Sequence, residues 1–121
     1  FIQVDFYGTE IKNTQNEKLK GLVKNFENVF SINKRINKTE LISELQKADV
    51  GLLTAYHNLQ GCLPVKIFDY LYFGLNILLC PSDNDEMEHF IERTNSGISV
   101  QTEDECYIEL KKMVKMKKLQ L

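Results

Sequence analysis

No stretch of about 18 apolar residues occurs in the sequence, and no basic segment followed by an apolar core opens it. Neither a membrane-spanning helix nor a secretory signal is therefore expected. Positive charge is not in excess: 15 Lys and Arg face 17 Asp and Glu, a net charge of −2. That balance argues against phosphate-backbone binding, so no nucleic-acid partner is expected. Cysteine is scarce. Cys62, Cys80 and Cys106 are too few and too widely spaced for a disulfide scaffold or a CxxC metal site, which points to a reducing, cytoplasmic setting. Internal repeats and low-complexity stretches are also missing. With 43% hydrophobic and 26% charged residues over 121 positions, the composition is that of one globular domain, expected to span residues 1–121. The chain opens on Phe1 rather than Met, directly in an apolar run, and is expected to be a fragment of a larger protein.

Short β-branched or aromatic runs alternate with helical patterns. Phe1 to Tyr7 alternates Ile2, Val4 and Phe6 before Gly8, predicting a strand. Leu19, Leu22, Val23 and Phe26 recur at helical spacing and predict an amphipathic helix from about Asn16 to Asn25, followed by a strand at Val29 to Ile32. Asn37 and Glu40 form a capping-box pattern ahead of Leu41, Ile42, Leu45 and Ala48. Val50 to Leu53 is a continuous apolar run of the kind buried on both faces in a parallel sheet. Pro64 opens, and Gly74 closes, an apolar helix. A strand at Asn76 to Cys80 and a polar loop at Pro81 to Asp85 come next. A helix carrying Met87, Phe90 and Ile91, a strand at Ile98 to Val100, and a last helix capped by Thr102 and Glu105 complete the order. Cys106, Leu110 and Met113 supply that last helix's apolar stripe. Lys111, Lys112, Lys115, Lys117 and Lys118 crowd its end, where cations complement the helix dipole. Five strands and five helices in alternation predict an α/β fold: a three-layer, Rossmann-like, doubly wound parallel sheet whose ligands bind beyond the carboxyl ends of the strands.

Among the strand-to-helix loops, Thr54 to Leu63 is the longest, where most run 2 to 6 residues. It delivers Gly61, Cys62 and Leu63 to the start of the Pro64 helix, where free amides and the dipole favour an anion such as phosphate. Pro64 has no amide hydrogen to give, whereas Cys62, Leu63, Val65 and Lys66 do, and the Lys66 ammonium can add a charge-assisted bond. The plainer reading is an ordinary helix start with a solvated lysine. Lys66 and Asp69 share a face. They form either a surface ion pair or a divided site, the carboxylate accepting a ribose diol while the lysine meets phosphate. His57 reads as a surface histidine and His89 as structural or solvated. Asp83, Asp85, Glu86 and Glu88 fit helix capping and first-turn acidity better than convergent metal ligands, so no metal is expected. Cys62 and Cys80 are expected to be small buried residues.

The segment Gly61-Cys-Leu-Pro-Val-Lys-Ile-Phe-Asp-Tyr-Leu-Tyr-Phe-Gly-Leu-Asn-Ile-Leu-Leu resembles the donor-binding signature of retaining glycosyltransferases of the GT-B fold, family 4 type. In capsule and lipopolysaccharide members that signature reads Pro-x-Lys-(Ile/Leu)-Phe-(Glu/Asp)-Tyr-Leu-x-x-Gly-x-Pro-Ile. The flanks agree in order: Asn28-Val29, the run from Ala48 to Leu53, the Glu86 to Ile91 helix, and Gly97-Ile98. The resemblance implies the C-terminal, donor-binding half of a two-domain hexosyltransferase-like enzyme acting in polysaccharide biosynthesis. Its donor would be a nucleoside diphosphate sugar, and it would need neither metal nor other cofactor.

By the same resemblance, Asp69 would hold the ribose, and the amides from Cys62 to Lys66, Leu63 and Val65 included, would surround the diphosphate. Lys66 would stabilise the departing diphosphate, the catalytic contribution expected of this chain. Arg35 and Ile36 fall at the family's base-binding edge, and Tyr56 beside the phosphate site. For Arg35 and Ile36 plain loop packing is the other reading; for Tyr56, from its place in the loop rather than from the resemblance, an aromatic lid contacting the donor is one reading. The family's first glutamate falls at Gly61, so its contact with the donor sugar has no side chain here, and Asp69 stands for the second glutamate.

The family's leading strand-helix unit, with its basic pair, and its N-terminal acceptor domain have no counterpart in the sequence. The isolated chain is therefore expected to be inactive, with any peripheral membrane contact made through the rest of the enzyme. The missing unit leaves Phe1 to Tyr7 and Val50 to Leu53 needing a neighbour: either they pair with each other, or the gap recruits another chain and the fragment self-associates. The competing function is a non-catalytic α/β nucleotide-binding or interaction module. A receiver-type signalling domain is excluded, because Asp5 lies inside its strand and Leu53, not an aspartate, ends the central one.

Overall fold

A computed structural model describes residues 2–9, 13–55 and 61–120. Along them run β1 (Val4–Tyr7), α1 (Asn13–Val23), β2 (Phe30–Asn33), α2 (Lys38–Lys47), β3 (Val50–Leu53), α3 (Val65–Tyr72), β4 (Asn76–Leu79), α4 (Glu86–Thr94), β5 (Gly97–Ser99) and α5 (Glu103–Gln120). All strand pairs are parallel, and the fold is α/β, compatible with a Rossmann-like arrangement. The expected single sheet is not what forms: the strands make two, β1-β2 and β3-β4-β5. Helical crossovers through α1, α3 and α4 return the chain beside the strand it has just left, whereas the crossover through α2 joins β2 to β3 without pairing them. The chain divides into two compact units, Phe1–Ile42 and Ser43–Leu121.

In the first unit, β1 and β2 are held in register from Val4 opposite Phe30 to Tyr7 opposite Asn33. Phe6 stacks on Phe30 at 6.2 Å, and Phe26 meets the same ring edge-on at 6.5 Å. The expected apolar stripe of the first helix is corrected here. Helix α1 starts three residues early and ends at Val23, so Phe26 lies beyond it in the turn leading to β2, and Leu22 faces water. Asn16 is buried instead, its carbonyl accepting a 2.6 Å hydrogen bond from the Thr9 hydroxyl. The capping box of α2 forms as expected: Asn37 Oδ1 accepts the Glu40 amide at 2.8 Å, and Asn37 Nδ2 donates to the Glu40 carboxylate.

The core of the second unit follows from strand alternation. Leu53 of β3 and Ile77 and Leu79 of β4 point to one face, where Ile67 of α3 and Met87 and Ile91 of α4 close over them, all buried. Leu78, pointing the other way, is equally buried. Two close approaches fix this packing. Gly51 lies under the Tyr70 ring, and Gly97 lies against the Ile77 backbone. Gly74, at φ +70°, ends α3 in the left-handed conformation its lack of a Cβ allows, and its amide donates to the Leu71 carbonyl. Helix α5 carries the second expected capping box, with the Glu105 amide on Thr102 Oγ1 at 3.2 Å and the Gln101 amide on the Glu105 carboxylate at 3.1 Å. The first strand starts at Val4, three residues later than expected, and the other strand ends differ from the sequence reading by at most a residue.

Candidate functional site

Helix α3 begins where the chain leaves an extended Pro64, and no side chain caps it. Proline sets the entry angle without needing an amide partner, and the first-turn amides of Val65 and Lys66 stay at an exposed helix end. Cys62 and Gly61 are exposed and Leu63 is half-buried against the core. The expectation of a buried Cys62 is thus corrected: the helix buries only Ile67 completely, and the described residues preceding Leu63 in this turn stand in solvent. Cys80, at the end of β4, is half-buried.

Lys66 and Asp69 are both exposed. They do not form the surface ion pair, and neither side chain makes a hydrogen bond or ion pair with a described residue. Next to them, the Tyr70 hydroxyl donates to the Leu52 carbonyl at 3.3 Å. Burial and, secondarily, the negative charge of Asp69 push the Tyr70 phenol above its usual range, keeping it a neutral donor. Tyr70 therefore anchors α3 on β3 while Lys66 and Asp69 are left to solvent.

Gly61 is held by a contact the sequence does not announce. Its amide donates to Asp85 Oδ2 at 2.9 Å, from a backbone at φ +76°. The loop after β4 thereby holds the turn that leads to α3, and the Gly61 amide is committed to Asp85. The same loop shows which acidic residue caps α4. Asp83, not the N-cap residue Asp85, accepts the amides of Met87, Glu88 and Asp85 at 2.9, 3.1 and 3.0 Å. Partial burial pushes the Asp83 carboxyl up, but the amides of Met87, Asp85 and Glu88 outweigh it and hold the group below its usual range. Glu88 accepts the Ser99 hydroxyl at 2.9 Å.

Asp85, Glu86 and His89 each bring a ligand atom within 4.8 Å of the others. Asp85 is already occupied by Gly61, Glu86 faces Arg93 at 3.9 Å, and the positive end of α4 opposes a cation there. His89 is exposed.

In the first unit, Tyr7, Gly8, Arg35, Ile36, Lys38 and Leu41 line a cavity of ≈ 400 Å³. It lies past the carboxyl ends of β1 and β2, the ligand-binding position in doubly wound folds. Arg35 and Ile36 were expected at a ligand. Tyr7, Gly8, Lys38 and Leu41 complete the lining, and the only signal for them in the sequence is their position at the end of a strand or in the first turn of a helix. Tyr56 and His57 lie outside the described residues. No helix among the described residues is long and apolar enough to cross a membrane. No protein-family model, curated protein or solved structure matches the chain.

Proposed function

We propose that the chain is the donor-binding part of a retaining glycosyltransferase of the GT-B fold, family 4 type. It binds a nucleoside diphosphate sugar in the cytoplasm for transfer to a polysaccharide or lipid-linked acceptor held by an N-terminal domain. The observation carrying this reading is the pair Lys66 and Asp69, both exposed near the start of an uncapped helix and neither spent on an ion pair with a described residue. An exposed ammonium beside free amides suits a diphosphate, and developing charge on the leaving group is stabilised there electrostatically. An exposed carboxylate one turn along suits two hydroxyl donors of a ribose.

Titration calorimetry on the enzyme, including its acceptor domain, tests the division of labour. Lys66→Met should weaken nucleoside diphosphate binding far more than nucleoside binding. Asp69→Asn should weaken both and spare free pyrophosphate. A hydrogen bond to a charged group contributes about 1.5–3 kcal/mol, roughly 10- to 150-fold in affinity. Chelator should leave these affinities unchanged. If both substitutions leave every affinity unaltered while circular dichroism shows intact helices, the donor-site reading is wrong.

A further inference from the structure

One face of α5 is settled by packing. Cys106, Glu109, Leu110, Met113 and Val114 recur at helical spacing and are half-buried, and Lys117, one turn further on, donates to Asp49 Oδ2 at 2.6 Å just ahead of β3. The opposite face is thereby turned outward. It sets Lys111, Lys112 and Lys115, all exposed, around Ile108, with Tyr107 and Met116 exposed at its margins. Glu109 meets Lys112 at 3.0 Å, and the Lys111 ammonium stands 5.3 Å from the centre of the Tyr107 ring. Charge is divided along the sequence in the same sense: residues 110–121 hold five lysines and no acid, whereas the 109 residues before them hold ten basic and 17 acidic side chains. Complementing the helix dipole calls for cations at the helix end, but not for apolar side chains exposed among them.

We propose that this outward face of α5, from Tyr107 to Met116, is an interaction surface for an anionic lipid bilayer. The lysine ammonium groups meet headgroup phosphates, while their methylene stems lie along Tyr107, Ile108 and Met116 as those side chains enter the boundary between headgroups and acyl chains. A nucleic acid offers the same phosphates but no apolar layer for the three side chains, and the acidic remainder of the chain opposes a long polyanion. The acidic first turn, Glu103, Asp104 and Glu105, is repelled by the same surface, so the contact begins beyond it. Neither Lys66 nor Asp69 takes part, and the surface stands or falls independently of the donor site.

Flotation of the full chain with lipid vesicles tests this. Vesicles of phosphatidylcholine with about a third phosphatidylglycerol should carry the chain at low salt, phosphatidylcholine alone should not, and rising salt should release it. Lys111→Gln, Lys112→Gln and Lys115→Gln together should lower the partition coefficient roughly 100-fold, about fivefold per lysine, with a helix propensity close to that of lysine retained. The same neutralisation of the exposed Lys18, Lys24 and Lys34 in the first unit should change it by less than about threefold. The chain has no tryptophan, so Ile108→Trp supplies a single fluorescent probe, whose emission should shift to the blue on the anionic vesicles as the ring leaves water. Absence of capture by anionic vesicles at low salt overturns the proposal. Equal losses from the two lysine sets would overturn it too, since net charge rather than this face would then be responsible. Tighter binding to duplex DNA than to the anionic vesicles, or an Ile108→Trp emission unchanged on vesicles that carry the chain, would likewise overturn it.

Discussion

At Gly97 the backbone of β5 passes so close to that of β4 that a Cβ would collide with the Ile77 carbonyl. The obstacle is ladder backbone, which cannot swing aside as a side chain can. Gly97→Ala should therefore destabilise the chain by about 3 kcal/mol, the upper part of the range for overpacking. Gly51→Ala meets the Tyr70 ring instead, and a ring can move. It should cost roughly 1–2 kcal/mol and loosen the bond from Tyr70 to Leu52. Gly21, in α1, has open space where a methyl group would stand, with nothing within 4 Å, so Gly21→Ala should stabilise by about 0.5–1 kcal/mol. Urea midpoints of the three variants check the ranking, and equal effects at Gly97 and Gly21 would contradict the close approach. Nothing in the sequence distinguishes these glycines. Gly51 falls inside a strand run and Gly21 inside a helical pattern, and only the partner strand or ring shows which glycine is indispensable.

Helix starts were the most legible elements, because a cap is a contact over three or four residues. Asn37 with Glu40 and Thr102 with Glu105 act as their spacing predicts. At α4 the acidic run is ambiguous by spacing alone, and geometry assigns the cap to Asp83. Asp83→Ala should cost about 0.5–2 kcal/mol. The folded carboxyl is held below its usual range, so its contribution is present at neutral pH and is lost as the pH falls below about 4 toward the folded value. Denaturation of the wild-type chain from pH 7 to 2 should therefore show an acid loss that the alanine variant shows in smaller degree. Helix faces were less legible than helix starts. Leu22 and Phe26 keep helical spacing with Leu19, but α1 stops at Val23, and spacing cannot register where a helix ends without a cap signal. The anchoring of α3 was hidden for a similar reason: Tyr70 bonds Leu52 and Asp85 holds Gly61 across 18 and 24 residues. For Lys66 and Asp69 the sequence poses two alternatives, and side-chain direction, which spacing does not carry, removes the ion pair.

At the scale of the whole molecule, alternation of strands and helices was legible and strand pairing was not, since an apolar run states that a strand is buried without stating beside what. Among the described residues, strand β3 is paired on one side only, to β4. The carbonyls of Asp49 and Leu53 and the amide of Ala55 are spent on that partner, so the groups of Val50 and Leu52 face the other edge. Tyr70 covers one of them, the Leu52 carbonyl. The strand carries no lysine, proline or other charge to discourage a further strand, and the Leu52 side chain is 39% exposed. The chain should therefore self-associate with rising concentration through this edge. Leu52→Lys, which adds an edge charge without disturbing the Gly51–Tyr70 contact, should weaken that association tenfold or more, about 1.4 kcal/mol. Sedimentation velocity over a wide concentration series reads the dissociation constant directly. High salt should restore part of the lost association in the lysine variant, because the added repulsion between exposed charges is screened. A wild-type chain that stays monomeric throughout, or a lysine variant that associates as strongly, would show that the free edge of β3 is not the contact.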